Sequence, residues 1–252
     1  MDLFSIIYTY FFCFMIGAVF ASAFTCQADR LLAHESWVSG RSHCDVCGHV
    51  LSLMDMIPVF SYLVNRGKCR YCGAKLSSKY LWTEVLTGIV FCLVFWKDGF
   101  SAACLCDWAV CLCLLALSLV DLAEMWIPDR YLIASVVIYV LKAAVCHLDW
   151  KMGLAGGISI GGFVFVVSLI MDKILKKESM GGGDIKLLFV MGLYLGLLNG
   201  LLCLIVSCIT GLFSVLKLNR KQIPFGPSIS IAFVFGLLWG EKLVQLYLSL
   251  FV

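Results

Sequence analysis

Two carboxylates give the first hint of chemistry in this sequence. One is Asp184, in Met180-Gly181-Gly182-Gly183-Asp184-Ile185-Lys186, where three glycines lead into the apolar run Leu187 to Leu198. The other is Asp121, in Ser118-Leu119-Val120-Asp121-Leu122-Ala123-Glu124, at the end of another apolar run. An ionisable residue at the mouth of a membrane segment is a functional candidate by default. Consecutive glycines allow another part of the chain to approach closely. Two carboxyls at close range share a proton, because both cannot ionise cheaply. One can then activate water as a base, while the other protonates the departing group or polarises the carbonyl. This is aspartic-peptidase chemistry, and it requires neither metal nor cofactor.

The acids Glu124, Asp129 and Asp172 lie near the pair in sequence, so spacing alone leaves other uses open. A proton- or ion-coupled transporter also relays ions through paired acids. It would show helix breaks at the bilayer midplane and repeated halves. Here the glycine triplet lies at the end of a run, and no repeat is visible. A membrane scaffold whose metal module binds a partner is a third class, and it leaves Gly181 to Asp184 without a role.

Four cysteines form a second constellation: Cys44-Asp45-Val46-Cys47-Gly48 and Cys69-Arg70-Tyr71-Cys72-Gly73. Two such knuckles suit a tetrahedral Zn²⁺ site made of four thiolates. The site would be structural, since four cysteines leave no open position for a substrate. Two disulfides are the alternative, and a reducing compartment would disfavour them. His43 and His49 read as surface residues beside the first knuckle. The other ten cysteines lie in or beside apolar runs, where cysteine is usually a small inert hydrophobe.

These groups must be positioned by membrane helices. Of 252 residues, 62% are hydrophobic and 14% charged, and mean hydropathy is +0.99. A soluble domain has about 25% charged residues. The apolar runs are continuous and do not alternate, which predicts helices over a barrel. The expected fold is an all-α polytopic membrane protein with about eight transmembrane helices. The spans fall near residues 4–24, 81–96, 102–120, 131–148, 153–171, 185–198, 200–216 and 226–250, with Asn199-Gly200 as the turn between the sixth and seventh. The first is read as a retained span, since no basic residue precedes Arg30.

Lys and Arg counts set the expected topology. With the N-terminus outside, fifteen of the nineteen lie on the inner side, including Arg41, Arg220 and Lys221; Lys97, Lys142, Lys151 and Lys242 are the exceptions. Both aspartates then face the cytoplasm. Three regions are expected: a first transmembrane helix at 1–24, a small cytoplasmic zinc-knuckle domain at 25–80 without helical period, and a seven-helix membrane domain at 81–252. The partners expected are the lipid bilayer and a protein substrate, with no nucleic acid.

Taken together, these motifs resemble the type IV prepilin peptidases over nearly the whole chain. The resemblance rests on the knuckles, the linking Asp55-Met56-Ile57-Pro58-Val59-Phe60-Ser61-Tyr62-Leu63, and Tyr80 and Glu84. It also rests on Asp121…Ile127-Pro128-Asp129, Gly181-Gly182-Gly183-Asp184-Ile185-Lys186, and Phe225-Gly226-Pro227. It implies a bifunctional enzyme of the bacterial inner membrane, with its catalytic aspartates at Asp121 and Asp184. The implied substrates are type IV prepilins or pseudopilins, cut after a glycine at the end of a short basic leader, on the cytoplasmic side. The second implied step is methylation of the new N-terminus by S-adenosylmethionine. Glu35, Asp45, Asp55 and Glu124 are acids that a basic leader could meet. The chain departs from the family pattern at Ala23-Phe24-Thr25-Cys26, where Ser-Phe-Leu-Asn is common, and no glycine-rich fingerprint marks the methyl-donor site.

Overall fold

Helices dominate the computed structural model, which describes residues 2–36, 42–218 and 224–250. Arg41, Arg220 and Lys221, counted in the expected topology, lie outside the described residues. The helices are α1 (Leu3–Leu32), α2 (Phe60–Val64), α3 (Ser78–Asp98), α4 (Ala102–Glu124), α5 (Asp129–Val145), α6 (Trp150–Leu175), α7 (Gly182–Leu218), α8 (Gly226–Phe235) and α9 (Glu241–Ser249). A π-helical turn, Gly236–Gly240, joins α8 to α9. Among the described residues, six helical stretches are long and apolar enough to cross a membrane. The chain is a multi-pass membrane protein. Large apolar side chains on its helices, such as Phe163, Leu212 and Phe213, are exposed as a lipid-facing surface requires.

Two compact units divide the chain, Met1–Phe100 and Ser101–Val252. In the first, α1 packs along α3. The small residues Ala18, Ala21, Thr25 and Ala28 of α1 are buried, and the Thr25 hydroxyl donates to Thr83 Oγ1 at 3.2 Å. Asp29 accepts from Lys79 Nζ at 2.6 Å and from the Tyr80 hydroxyl at 2.8 Å. These contacts explain why α1 continues to Leu32, past the expected end at residue 24: its last turns are held by the start of α3. Residues 25–32 of the expected loop are therefore helical, as is the short α2.

In the second unit, α4 is the most buried span, with Val110, Leu114, Ala116, Leu117 and Val120 inaccessible or nearly so. Side-chain caps open α4 and α6: Ser101 Oγ accepts from the Cys104 amide and Asp149 Oδ1 from the Lys151 amide. The eight expected spans map onto these helices with two qualifications. The fourth, α5, is 17 residues long. The sixth and seventh form α7, and the turn lies at Gly196, not at Asn199-Gly200. Gly196 has φ 71° and ψ −173°, a region that glycine enters at little cost. A Cβ on Gly200 would lie 3.7 Å from Gly192 Cα, whereas eight residues of straight helix span about 12 Å. The chain therefore doubles back at Gly196, and Gly200 is small because Ile160 and Gly192 crowd it.

Candidate active site and cysteine centre

Asp121 lies in the last turn of α4 and is 4% exposed. The helix stops four residues later, where Met125 takes a left-handed conformation (φ 58°) and its amide donates back to the Asp121 carbonyl at 2.9 Å. The chain then passes through Ile127 and Pro128 into α5. Asp184 lies in the first turn of α7, with its amide donating to the Gly181 carbonyl at 3.1 Å.

Gly183 brings the second aspartate toward the first. A Cβ there would sit 2.9 Å from Ile127 Cβ, so only a residue without a side chain lets α7 begin against this loop. Asp184 directly follows Gly183, and Ile127 lies six residues after Asp121, so this contact draws the start of α7 to the end of α4. Thus the two residues singled out from sequence lie on neighbouring helix ends within the second unit.

Their surroundings differ. Asp121 Oδ2 accepts the Gly226 amide at 2.8 Å in a buried hydrogen bond. A Cβ on Gly226 would lie 2.7 Å from that same oxygen. The Phe225-Gly226-Pro227 motif, quoted from sequence without a task, thus delivers a backbone donor to Asp121. Asp184 Oδ1 is buried, and no donor among the described residues reaches it.

The neighbouring acids have other partners. Glu124 Oε2 accepts from Trp126 Nε1 at 2.8 Å. Asp172 Oδ1 accepts the Ser179 amide at 2.7 Å, which fixes the loop before the glycine triplet. Asp129 pairs with Lys186 at 2.7 Å, with both side chains more than half exposed, so the pair adds little stability. One buried pair escaped the sequence reading: Asp107 on α4 is fully buried and binds Lys142 of α5 at 2.5 Å. An acid and a base inside two apolar runs were the signal. Lys142, inside the expected fourth span and counted on its outer side, is a partner within the helix bundle.

In the first unit Cys44, Cys47, Cys69 and Cys72 converge, with all four sulfurs within 4.8 Å of one another. Each knuckle folds alike. The Gly48 amide donates to the Cys44 carbonyl at 2.8 Å, and the Gly73 amide to the Cys69 carbonyl at 2.9 Å. Gly48 and Gly73 both have positive φ, 68° and 72°, which turns the chain over the sulfurs. His49 stacks on Tyr71 at 3.6 Å between ring centres, tying one knuckle to the other.

The donor set fits a tetrahedral metal ion. Four sulfurs each about 2.3 Å from zinc would be separated by about 3.8 Å, and Cys44 and Cys72 sulfurs are 3.9 Å apart. The amides of Cys47 and Val46 pull the Cys44 thiol down to about 7, while burial and the neighbouring sulfurs push the Cys72 thiol up to about 11. All fourteen cysteines are free thiols, so the disulfide alternative is not adopted.

Paired carboxyls on two membrane helices, carried in one chain with a four-cysteine module, define a narrow class of polytopic membrane proteins. Residues 15–98 match the Bacterial Peptidase A24 N-terminal domain, and residues 108–216 match the Type IV leader peptidase family. The chain is 32% identical over 230 residues to the prepilin leader peptidase/N-methyltransferase of Aeromonas hydrophila, covering 84% of this chain and 76% of that one. It is 31% identical over 224 residues to the protein of that name from Pseudomonas aeruginosa, covering 82% and 74%. With that of Bacillus subtilis it shares 27% identity over 245 residues, covering 94% and 97%. No solved structure matches the chain. The chain belongs to the type IV leader peptidase family.

Proposed function

We propose that this protein is a membrane aspartic endopeptidase that removes the basic leader from type IV prepilins or pseudopilins and then methylates the new N-terminus. The observation that carries the peptidase reading is the approach of the start of α7, which carries Asp184, to the loop that follows Asp121, in a chain of this family. Family membership also weighs against the ion-coupled transporter.

The two carboxyls have different tasks. A hydrogen bond to a charged group contributes about 1.5–3 kcal/mol, and Gly226 gives one to Asp121. The helix N-terminus beside Asp184 favours negative charge by only about 0.3–1 kcal/mol, and its buried Oδ1 lacks a donor. Asp121 is therefore the carboxylate that takes a proton from water, and Asp184 holds the proton. The resulting hydroxide attacks the scissile carbonyl carbon. Asp184 polarises the carbonyl oxygen and gives its proton to the departing amine, and the proton that Asp121 took from water then passes to Asp184 to restore the starting state.

The four cysteines hold a structural Zn²⁺ that folds the small module, as metal binding does in domains without a sufficient core. S-adenosylmethionine, when bound, supplies a methyl group on a positively charged sulfur. The protein resides in the bacterial inner membrane with its aspartates at the cytoplasmic face, a reading supported by the distribution of Lys and Arg. Co-expression with a candidate prepilin tests both activities. The precursor should shorten on a gel, and the mature N-terminus should gain the mass of one methyl group. Unshortened precursor beside well-expressed protein would refute the peptidase reading.

A further inference from the structure

Asp121 Oδ2 is held by the amide of Gly226, a residue with no side chain to anchor it. A glycine that makes room for a carboxyl also leaves its own backbone free to turn. Two hydroxyls fix Gly226 from its other end. The Ser230 hydroxyl donates to the Gly226 carbonyl at 2.9 Å, and the Ser118 hydroxyl donates to Ser230 Oγ at 2.9 Å. Ser230 is only 8% exposed, and Ser118 is half-buried.

The bonds form a closed circuit between two helices. Ser118 and Asp121 lie one turn apart on α4, and Gly226 and Ser230 lie one turn apart on α8, so each pair shares a helix face. Asp121 accepts from Gly226, Gly226 accepts from Ser230, Ser230 accepts from Ser118, and α4 leads back to Asp121. Leu117 and Val120 of α4 and Ile229 and Phe233 of α8 are fully buried, so the hydroxyls meet inside an apolar contact. A serine that bonds the carbonyl four residues back is ordinary in a helix, and hydroxyls that join two helices are common in membranes. Ser230 does both at once, and the carbonyl it holds belongs to the residue whose amide holds Asp121. Packing alone gives no reason for that coincidence.

We propose that Ser118 and Ser230 are positioning residues for the peptidase step, aiming the Gly226 amide at Asp121; the inference rests on the peptidase half of the proposed function. Without the Ser230 hydroxyl, the Gly226 carbonyl loses its side-chain donor, and the amide can swing off Oδ2. Without the Ser118 hydroxyl, Ser230 loses the bond that ties it to α4. Both serines act through Gly226 and the carboxyl it holds, so they govern the chemical step and not the binding of substrate. Their removal should therefore lower kcat and leave KM alone.

The test measures kcat and KM for prepilin cleavage by full-length protein in detergent. Beside it, exchange of the Gly226 amide proton is followed by NMR in protein carrying isotope-labelled glycine. Ser230→Ala should lower kcat about tenfold, less than the roughly hundredfold loss from moving a reacting group by about 1 Å, with KM within about twofold of wild type. Ser118→Ala should lower kcat about threefold, since it loosens the circuit one bond further from the carboxyl. The double variant should match Ser230→Ala, because Ser118 reaches Gly226 only through Ser230. Ser118→Thr keeps the hydroxyl at a half-buried position and should cleave at nearly the wild-type rate. Each Ala variant should speed exchange of the Gly226 amide by at least about fivefold. The inference is overturned if the Ala variants keep the wild-type kcat, if their loss lies in KM, or if the Gly226 amide exchanges as slowly as in wild type. Lower thermal midpoints with unchanged kcat would also overturn it, leaving the serines as packing residues. If wild-type protein leaves prepilin uncut, the peptidase reading fails, and amide exchange still judges whether the serines hold Gly226.

Discussion

The Gly226 amide and Asp121 Oδ2 are joined by a buried hydrogen bond of 2.8 Å, although 105 positions separate the residues in sequence. This contact orients one carboxyl of the pair and explains why the position is glycine. A Cβ there would lie 2.7 Å from the accepting oxygen, closer than carbon and oxygen tolerate. Gly226→Ala should therefore displace Asp121. A shift of about 1 Å at a reacting group can cost on the order of a hundredfold in rate. Prepilin cleavage by Gly226→Ala should fall by about that factor while the protein accumulates normally. Cleavage within twofold of wild type would show that the amide does not position the carboxyl.

The cysteine centre should act through folding. Cys44 and Cys69 are buried and Cys47 and Cys72 exposed, so the sulfurs close the small module from both sides. Purified protein should contain one zinc per chain by elemental analysis. Cys44→Ser or Cys72→Ser should lower the protein level, and a strong chelator should lower its thermal midpoint, before either alters the cleavage chemistry. Metal-free protein as stable as the loaded form would contradict a structural role.

The site was readable in sequence to the extent that chemistry is local. Asp184 announced itself because three glycines precede it, and the knuckles because their spacing is set by one turn around a metal. Gly226 was visible as a motif, but its task was not: a donor 105 positions from its acceptor leaves no mark in spacing. Asp107 and Lys142 could have been paired as opposite charges in neighbouring apolar runs. The turn in α7 was misplaced by three residues because Asn-Gly is a strong turn signal. Asn199 instead packs within 3.5 Å of the Gly240 Cβ position, while Gly196 makes the turn. The helix α1 runs on to Leu32, past the expected span, because its last turns are held by α3, and no local preference reports that packing.

The α6–α7 contact is made through glycines. A Cβ on Gly192 would lie 2.6 Å from the Gly156 carbonyl oxygen, so the backbones touch, as small residues permit in membranes. Gly192→Leu should destabilise the second unit by at least the roughly 1–3 kcal/mol of an overpacked core. It would be read as a lower thermal midpoint in detergent. Gly162, on the same helix as Gly156, has nothing within 4 Å of its Cβ position, and Gly162→Leu should be near neutral. Equal midpoints for the two variants would refute close backbone packing.

Reporter fusions test which side the aspartates face. Gly67 lies between the knuckles, and Lys177 lies in the loop between α6 and α7 that leads to Asp184. Fusions at both positions should read cytoplasmic. An external signal at Lys177 would put Asp184 on the wrong side for a cytoplasmic cleavage.

The chemistry itself depends on both carboxyls. One must hold a proton while the other takes one from water, and an amide can do neither. Asp121→Asn and Asp184→Asn preserve size, so each variant should accumulate at normal levels and leave prepilin uncut. Asp→Glu at either position moves the carboxyl by about 1 Å and should reduce cleavage on the order of a hundredfold. Glu124→Gln and Asp172→Asn serve as comparisons. Their amide oxygens can still accept from Trp126 and the Ser179 amide, so both should retain substantial cleavage. This contrast separates a catalytic pair from a general need for acidic charge at the boundary. Methylation must be read on substrate already cut, because it acts on the amine that cleavage exposes. On such substrate both Asn variants should still transfer the methyl group if the two activities use separate sites. Cleavage by either Asn variant at a rate near wild type would exclude the paired-aspartate mechanism.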